Sequence, residues 1–244
     1  MNISQYQSDD RTPHGSFREV CPRRRLQSSI ELGSIFEASE SFLAEEQLSE
    51  ARTLFHTGTQ PSSVNLNVLY VFNSIGMQKY GVEEGLESSL LNIFQQLRHR
   101  RANFWKLQLN HIWPSSRPVE SELGTKDAHV DHWVLHNNSN TCRILAFQTS
   151  ILYITVPQGM RGGELVLYKK GINIVPGMTT NRLMTVTPAE NLLIKFQGDL
   201  PHQVQDFVTE DQRPRVSIAL EQFYIPDELY QHAVEFDVIR PPGV

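Results

Sequence analysis

The chain has 244 residues, 39% of them hydrophobic and 20% charged, with a net charge of −5. Such a composition is ordinary for a globular protein of one large or two small domains. The acidic balance argues against a nucleic-acid footprint, and no apolar run approaches the roughly 18 residues that span a bilayer.

Residues 1–30 are polar and irregular, and read as a flexible N-terminal arm. They contain no apolar signal core, and Asp9, Asp10 and Glu19 argue against a transit peptide. Cys21 and Cys142 are too few for a disulfide framework and belong to no C-x-x-C pair, so a cytoplasmic setting is expected. Residues 31–244 read as a single domain. Helices are expected over about 39–101: "SFLAEEQLSEARTLF" spaces Phe42, Leu43, Leu48, Ala51, Leu54 and Phe55 on one face. "VEEGLESSLLNIFQQLRHRR" puts acids in its first turn and bases in its last, as the helix dipole favours.

After Arg101 the pattern changes to short strands. "FWKLQLNHIW" alternates, with Trp105, Leu107, Leu109, His111 and Trp113 sharing a face. "ILAFQTSILYITV", "GELVLYKKG", "RLMTVTP", "NLLIKF", "HQVQDFV" and "RVSIALEQFYI" follow, most of them separated by Gly, Pro or Asn, and residues 225–244 form a C-terminal extension. The expected class is mainly β with N-terminal helices, an antiparallel sandwich or barrel. There is no G-x-G-x-x-G, Walker loop or G-x-S-x-G, so the usual anchors of nucleotide binding and serine-hydrolase chemistry are missing.

"AHVDHWVLHNN" places His129 and Asp131 two positions apart. In a strand, residues i and i+2 point the same way, so an imidazole and a carboxylate meet at one spot. A histidine from a distant strand would complete a 2-His-1-carboxylate triad, which suits Fe(II) because it leaves positions open for co-substrate and O₂. Among nine histidines, one H-x-D tripeptide taken alone is more readily read as a polar strand edge. The order of later segments changes that balance. Gly162-Gly163-Glu164 precedes a strand, "TPAENLLIKF" gives a Pro-led turn and a strand, His202 follows, and Arg215-Val216-Ser217 opens a last apolar strand. This succession, over roughly residues 104–224, resembles the iron(II)/2-oxoglutarate-dependent dioxygenases of the prolyl-hydroxylase-like branch.

The resemblance implies a double-stranded β-helix (jelly-roll) core over about 104–224, with Fe(II), 2-oxoglutarate and O₂ as cofactor and co-substrates. It makes His129, Asp131 and His202 the metal ligands. Arg215 becomes the anchor of the far co-substrate carboxylate, with Ser217 and Tyr153 beside it. Arg213 competes for that role, because thirteen positions separate His202 from Arg215 and the Gly expected before the Arg is absent. His111 and Trp113 are candidates for the substrate mouth, although a core role is the commoner one for such residues. Glu164 reads as a turn residue, and His132 and His136 as surface or supporting groups. The implied reaction couples conversion of 2-oxoglutarate to succinate and CO₂ with oxidation of a substrate C–H bond. Related halogenases carry Gly or Ala at the position of Asp131, so hydroxylation or another oxidation is expected. "RPRVSIALEQF" lacks the N-x-T-x-R run of nucleic-acid demethylases. A small molecule is the expected substrate, a protein prolyl residue the alternative, and a non-catalytic cupin-like binding protein a further one. No membrane partner is expected.

Overall fold

The computed structural model describes residues 35–56, 66–80, 88–115, 128–137, 140–170 and 181–240. The N-terminal arm and the start of the second expected helix lie outside the described residues. The protein is mostly β, with antiparallel sheets and few helices. Among the described residues three helices precede the main strand series: α1 (Glu45–His56), α2 (Ser74–Tyr80) and α3 (Ser88–Leu97). Among the described residues no helix is long and apolar enough to cross a membrane.

The largest sheet has seven strands. Its order is β1 (Phe36–Ser39), β10 (Leu193–Phe196), β6 (Gln148–Thr155), β13 (Arg215–Phe223), β3 (Phe104–Ile112), β2 (Leu66–Asn73) and β14 (Phe236–Ile239). A second sheet has the order β11 (His202–Val204), β8 (Leu165–Tyr168) and β9 (Arg182–Val186), and an isolated bridge between His129 and His202 extends it past β11. β12 (Phe207–Val208) pairs with β7 (Arg161–Gly162), and β4 (His132–Asn137) forms a hairpin with β5 (Asn140–Leu145). A short helix, α4 (Asp227–Tyr230), lies between β13 and β14.

Antiparallel register decides which side chains share a face, because directly paired residues point to the same side of a sheet. On the outer face of the large sheet, Tyr70, Phe72, Trp105, Leu107, Leu152, Ile218 and Leu220 pack against Leu48, Ala51, Leu90, Ile93, Phe94 and Leu97 of α1 and α3. Fully burying one such side chain contributes about 1.5–3 kcal/mol, so this cluster fixes the helices to the sheet. The inner face divides into two apolar clusters. One joins Val71, Phe104 and Phe223 to Trp133, Leu135 and Cys142 of the β4–β5 hairpin. The other joins Ile151, Tyr153, Ile194 and Phe196 to Leu165 and Leu167 of the second sheet.

The expected strand "ILAFQTSILYITV" is broken between β5 and β6 at Ala146 and Phe147, and "HQVQDFV" is split into β11 and β12. Both breaks occur where the chain passes from one sheet to another.

Candidate active site

His129, Asp131 and His202 bring one ligand atom each to within 4.8 Å of one another. Asp131 Oδ1 is 3.6 Å from His202 Nε2 and 3.9 Å from His129 Nε2. Two donors about 2.1 Å from a common ion lie roughly 3 to 3.5 Å apart, so the three need only a small closure to share one.

Backbone geometry holds the cluster in place. The His129 N–H donates to the His202 carbonyl at 2.9 Å and the His202 N–H to the His129 carbonyl at 2.8 Å, which fixes the two histidines side by side. Asp131 donates its N–H to the Gly198 carbonyl at 3.3 Å and accepts the Ala146 N–H at 2.9 Å. Gly198 is required for this approach, since a Cβ there would lie 2.6 Å from Ala146 Cβ and 2.8 Å from its carbonyl oxygen.

Each side chain is also aimed. His202 Nδ1 lies 3.0 Å from the Leu200 carbonyl, which can only accept. Nδ1 therefore carries the proton and Nε2 presents its lone pair, the arrangement a metal-binding imidazole needs. Thr149 Oγ1 donates to Asp131 Oδ2 at 2.5 Å, leaving Oδ1 to face both imidazoles. Burial alone would raise the Asp131 carboxyl, but His202, Lys106, the Thr149 hydroxyl and His129 outweigh it and hold it below the ordinary carboxylate range. Asp131 and His202 have side chains only 7% and 6% exposed, whereas His129 is 45% exposed, so the cluster opens to solvent on the His129 side.

A second centre lies at the start of β13. Arg215 is 2% exposed. Its Nη1 donates to the Gly163 carbonyl at 2.6 Å, its Nε has no partner, and the guanidinium carbon sits 5.6 Å from the Tyr153 ring and 5.5 Å from the Phe207 ring. Among the described residues no carboxylate lies within ion-pairing distance of it. Burial accordingly lowers its proton affinity, with Tyr153 and Glu164 countering, and raises that of the Tyr153 hydroxyl, with Arg215 countering. Gly163 matters in two ways: its φ is +80°, and a Cβ there would come within 3.0 Å of Arg215 Nη1. The β13–β6 register slips between Val216 and Ser217, an irregularity that redirects the strand next to Arg215. Arg213, by contrast, is exposed and paired with Asp211 at 3.1 Å.

Ser217 is buried and pairs across the sheet with both Tyr153 and Asn110, so all three share the inner face. His111 is opposite Val216 and stacks against Phe55 of α1 at 5.4 Å. It sits on the helix-packed face, where the alternation that groups it with Trp105 and Leu107 carries it. Trp113 follows the end of β3 and is half-buried. His132 is bonded through Nδ1 to the Val130 carbonyl and Arg143, and His136 is exposed. Thr149, Lys106, Gln108, Asn110 and Glu221 were not singled out from the sequence. The signal was present in period 2, which sets Thr149 on the face of Tyr153, and Glu221 on that of Arg215 and Ser217.

No family model and no curated protein matches the chain. Several solved structures are similar to it. A prolyl-4-hydroxylase from Pseudomonas putida shares 14% identity, covering 79% of this chain and 94% of that one, with a TM-score of 0.42. An oxidoreductase of the 2OG-Fe(II) oxygenase family from Burkholderia pseudomallei shares 10%, covering 82% and 87%, with a TM-score of 0.43. HygX from Streptomyces hygroscopicus, solved with nickel and 2-oxoglutarate bound, shares 10%, covering 88% and 97%, with a TM-score of 0.44. At this divergence no residue role carries over from them.

Proposed function

We propose that the protein is an iron(II)- and 2-oxoglutarate-dependent oxygenase that oxidises a C–H bond of a small molecule. The observation that carries this reading is the pairing of a His–Asp–His cluster, open on one side, with a buried guanidinium that has no carboxylate partner among the described residues. The strand order supports a double-stranded β-helix: β10, β6, β13 and β3 make one wall, and β9, β8 and β11 with the His129 bridge make the other.

Two neutral imidazoles and one carboxylate are a donor set suited to a divalent iron with positions left free. Bound there with 2-oxoglutarate, iron would supply O₂ activation coupled to oxidative decarboxylation. The protein's part is orientation. Asp131 stays ionised and single-sided because Thr149 occupies its other oxygen. The Leu200 carbonyl keeps His202 in the ligand tautomer.

Arg215 is the natural seat for the co-substrate's distal carboxylate. An uncompensated buried charge is costly, and breaking a buried pair by removing one partner costs about 3–5 kcal/mol. A carboxylate arriving at Arg215 would find one arm held by Gly163 and the remaining guanidinium donors directed at it, a two-point contact between planar groups. Ser217 and Tyr153 line the same face, and Phe207 shuts water from the guanidinium.

The test is anaerobic titration of the purified protein with Fe(II) and then 2-oxoglutarate, followed by visible absorption, with succinate release measured after O₂ is admitted. The expected result is a band that needs both additions and is absent in His129→Ala, Asp131→Ala and His202→Ala. Stoichiometric metal binding that survives all three substitutions would overturn the assignment.

A further inference from the structure

Lys106 and Glu221 face each other across β3 and β13 on the inner face, with Nζ 2.5 Å from Oε2. Gln108 Nε2 donates to Oε1 at 2.6 Å. On its other side Glu221 is opposite Thr149 of β6, the residue that holds Asp131. The charge pair is therefore one strand pairing away from the triad. Its flanking inner-face neighbours on β13 are Phe223, opposite Phe104, and Ala219, opposite Gln108 and Ile151.

A purely structural tie would not favour this arrangement. Taking two charges out of water costs several kcal/mol, and well-packed apolar residues of similar volume are often as stable or more so. β3 and β13 already pair along the full 9 residues of each strand. The pair also has a polarity. An ammonium has three donors, and Glu221 takes one of them. The Lys106 side chain keeps 15% exposure against 6% for Glu221, so the accessible side of the pair is cationic. It is separate from Arg215, which lies six positions back along β13, roughly 20 Å of extended chain.

We propose that the Lys106 ammonium, braced by Glu221 and Gln108, binds a carboxylate of the primary substrate, so that the compound oxidised beside the triad is a small carboxylic acid. This deepens the oxygenase reading and rests on it for the oxidation; the carboxylate contact itself needs no metal.

The experiment uses acetate and the equally small, neutral acetamide as probes. Their binding to the full-length, metal-free protein, with 2-oxoglutarate present throughout to occupy the Arg215 seat, is followed by saturation-transfer NMR. Acetate should bind about tenfold more tightly than acetamide, as expected for a charge-assisted contact. That preference should vanish when Lys106→Met is combined with Glu221→Leu, a replacement that leaves no unpaired buried charge. Glu221→Gln and Lys106→Arg keep a cation and should retain it. If the double variant does not fold, Lys106→Gln carries the same comparison. With Mn(II) added and 2-oxoglutarate saturating, the acetate methyl protons should relax faster in the wild type only. Acetate that binds no better than acetamide overturns the proposal. So does an acetate preference that survives the double variant, or one that is lost in Arg215→Ala while the Lys106 variants keep it. Failure of Mn(II) to bind would instead refute the oxygenase reading, because the metal-free comparison stands without it.

Discussion

Replacing Thr149 with Val removes one hydroxyl from the interior and changes little else in shape. The hydroxyl donates at 2.5 Å to Asp131 Oδ2, and both residues are buried, so water cannot readily substitute. A hydrogen bond to a charged group contributes about 1.5–3 kcal/mol, and loss of a partner behind a metal ligand typically weakens metal affinity about 10–100-fold. Thr149→Val should therefore weaken Mn(II) binding by about that factor. Thr149→Ser, which keeps the donor, should recover most of it. The assay is electron paramagnetic resonance of free Mn(II) in a titration near neutral pH, with circular dichroism to confirm the fold. The sign with pH is also fixed. The Thr149 bond is one of the effects that lower the Asp131 carboxyl, so the Val variant should lose metal at a higher pH than the wild type as acid is added. Mn(II) affinity within about twofold of wild type, against the expected range, would show that Asp131 is not oriented by Thr149.

Arg215→Ala should raise the apparent KM for 2-oxoglutarate by about a hundredfold or more, whereas Arg213→Ala, an exposed pair, should change it less than about fivefold; steady-state succinate release checks both, and the reverse order would exchange their roles. Gly163→Ala should cost about 1–3 kcal/mol in denaturant unfolding, because its φ of +80° strains a side chain, and should also raise that KM by pushing on Nη1; an unchanged KM would mean the Arg215 arm tolerates displacement. Glu221 is pushed up from 4.5 to about 7 by burial, with Asp131 adding to the shift and Lys106 opposing it. A raised carboxyl favours the folded state at low pH, so metal-free stability should fall by about 3 kcal/mol as pH climbs from near 4.5 through 7. Glu221→Gln should flatten that slope in unfolding curves, and parallel wild-type and variant slopes would refute the assignment.

How legible the site was in the sequence depended on strand alternation. Period 2 correctly grouped Trp105, Leu107 and His111 on one face, but it cannot say which side of the sheet that face looks toward. The apolar face of β3 turns to α1 and α3, while Lys106, Gln108 and Asn110 turn inward. β2 went unread for a related reason. "LNVLYVFN" buries Tyr70 and Phe72 against the helices and Val71 against the hairpin, so its apolar run has no alternation to detect. The helical faces of α1 and α3 were legible because only one side of each meets the sheet. Among single residues, His129, Asp131 and His202 were placed by their order along the chain. Thr149 was missed because a hydroxyl in an apolar strand carries no motif; only its partner reveals its use.

The inner face presents its charges in three different states, and the differences argue for different roles. Asp131 is held ionised by His202, Lys106, the Thr149 hydroxyl and His129, and the two histidines among these would share a metal with it. Glu221 is paired with Lys106 and Gln108 within the protein, which oppose the upward push of its burial. Arg215 has a carbonyl and two aromatic rings but, among the described residues, no carboxylate. A chain selected only for stability would not leave Arg215 in that condition, since an uncompensated buried charge is among the costliest features a fold can hold. That state is tolerable if an anionic carboxylate arrives from solution, while the His–Asp–His cluster offers its donors to a divalent cation. Arg215 opens β13, which pairs with both β3 and β6 and is backed by the helix-packed core. The cost is therefore carried where the fold is best able to resist it, and the geometry waits already formed for both ligands.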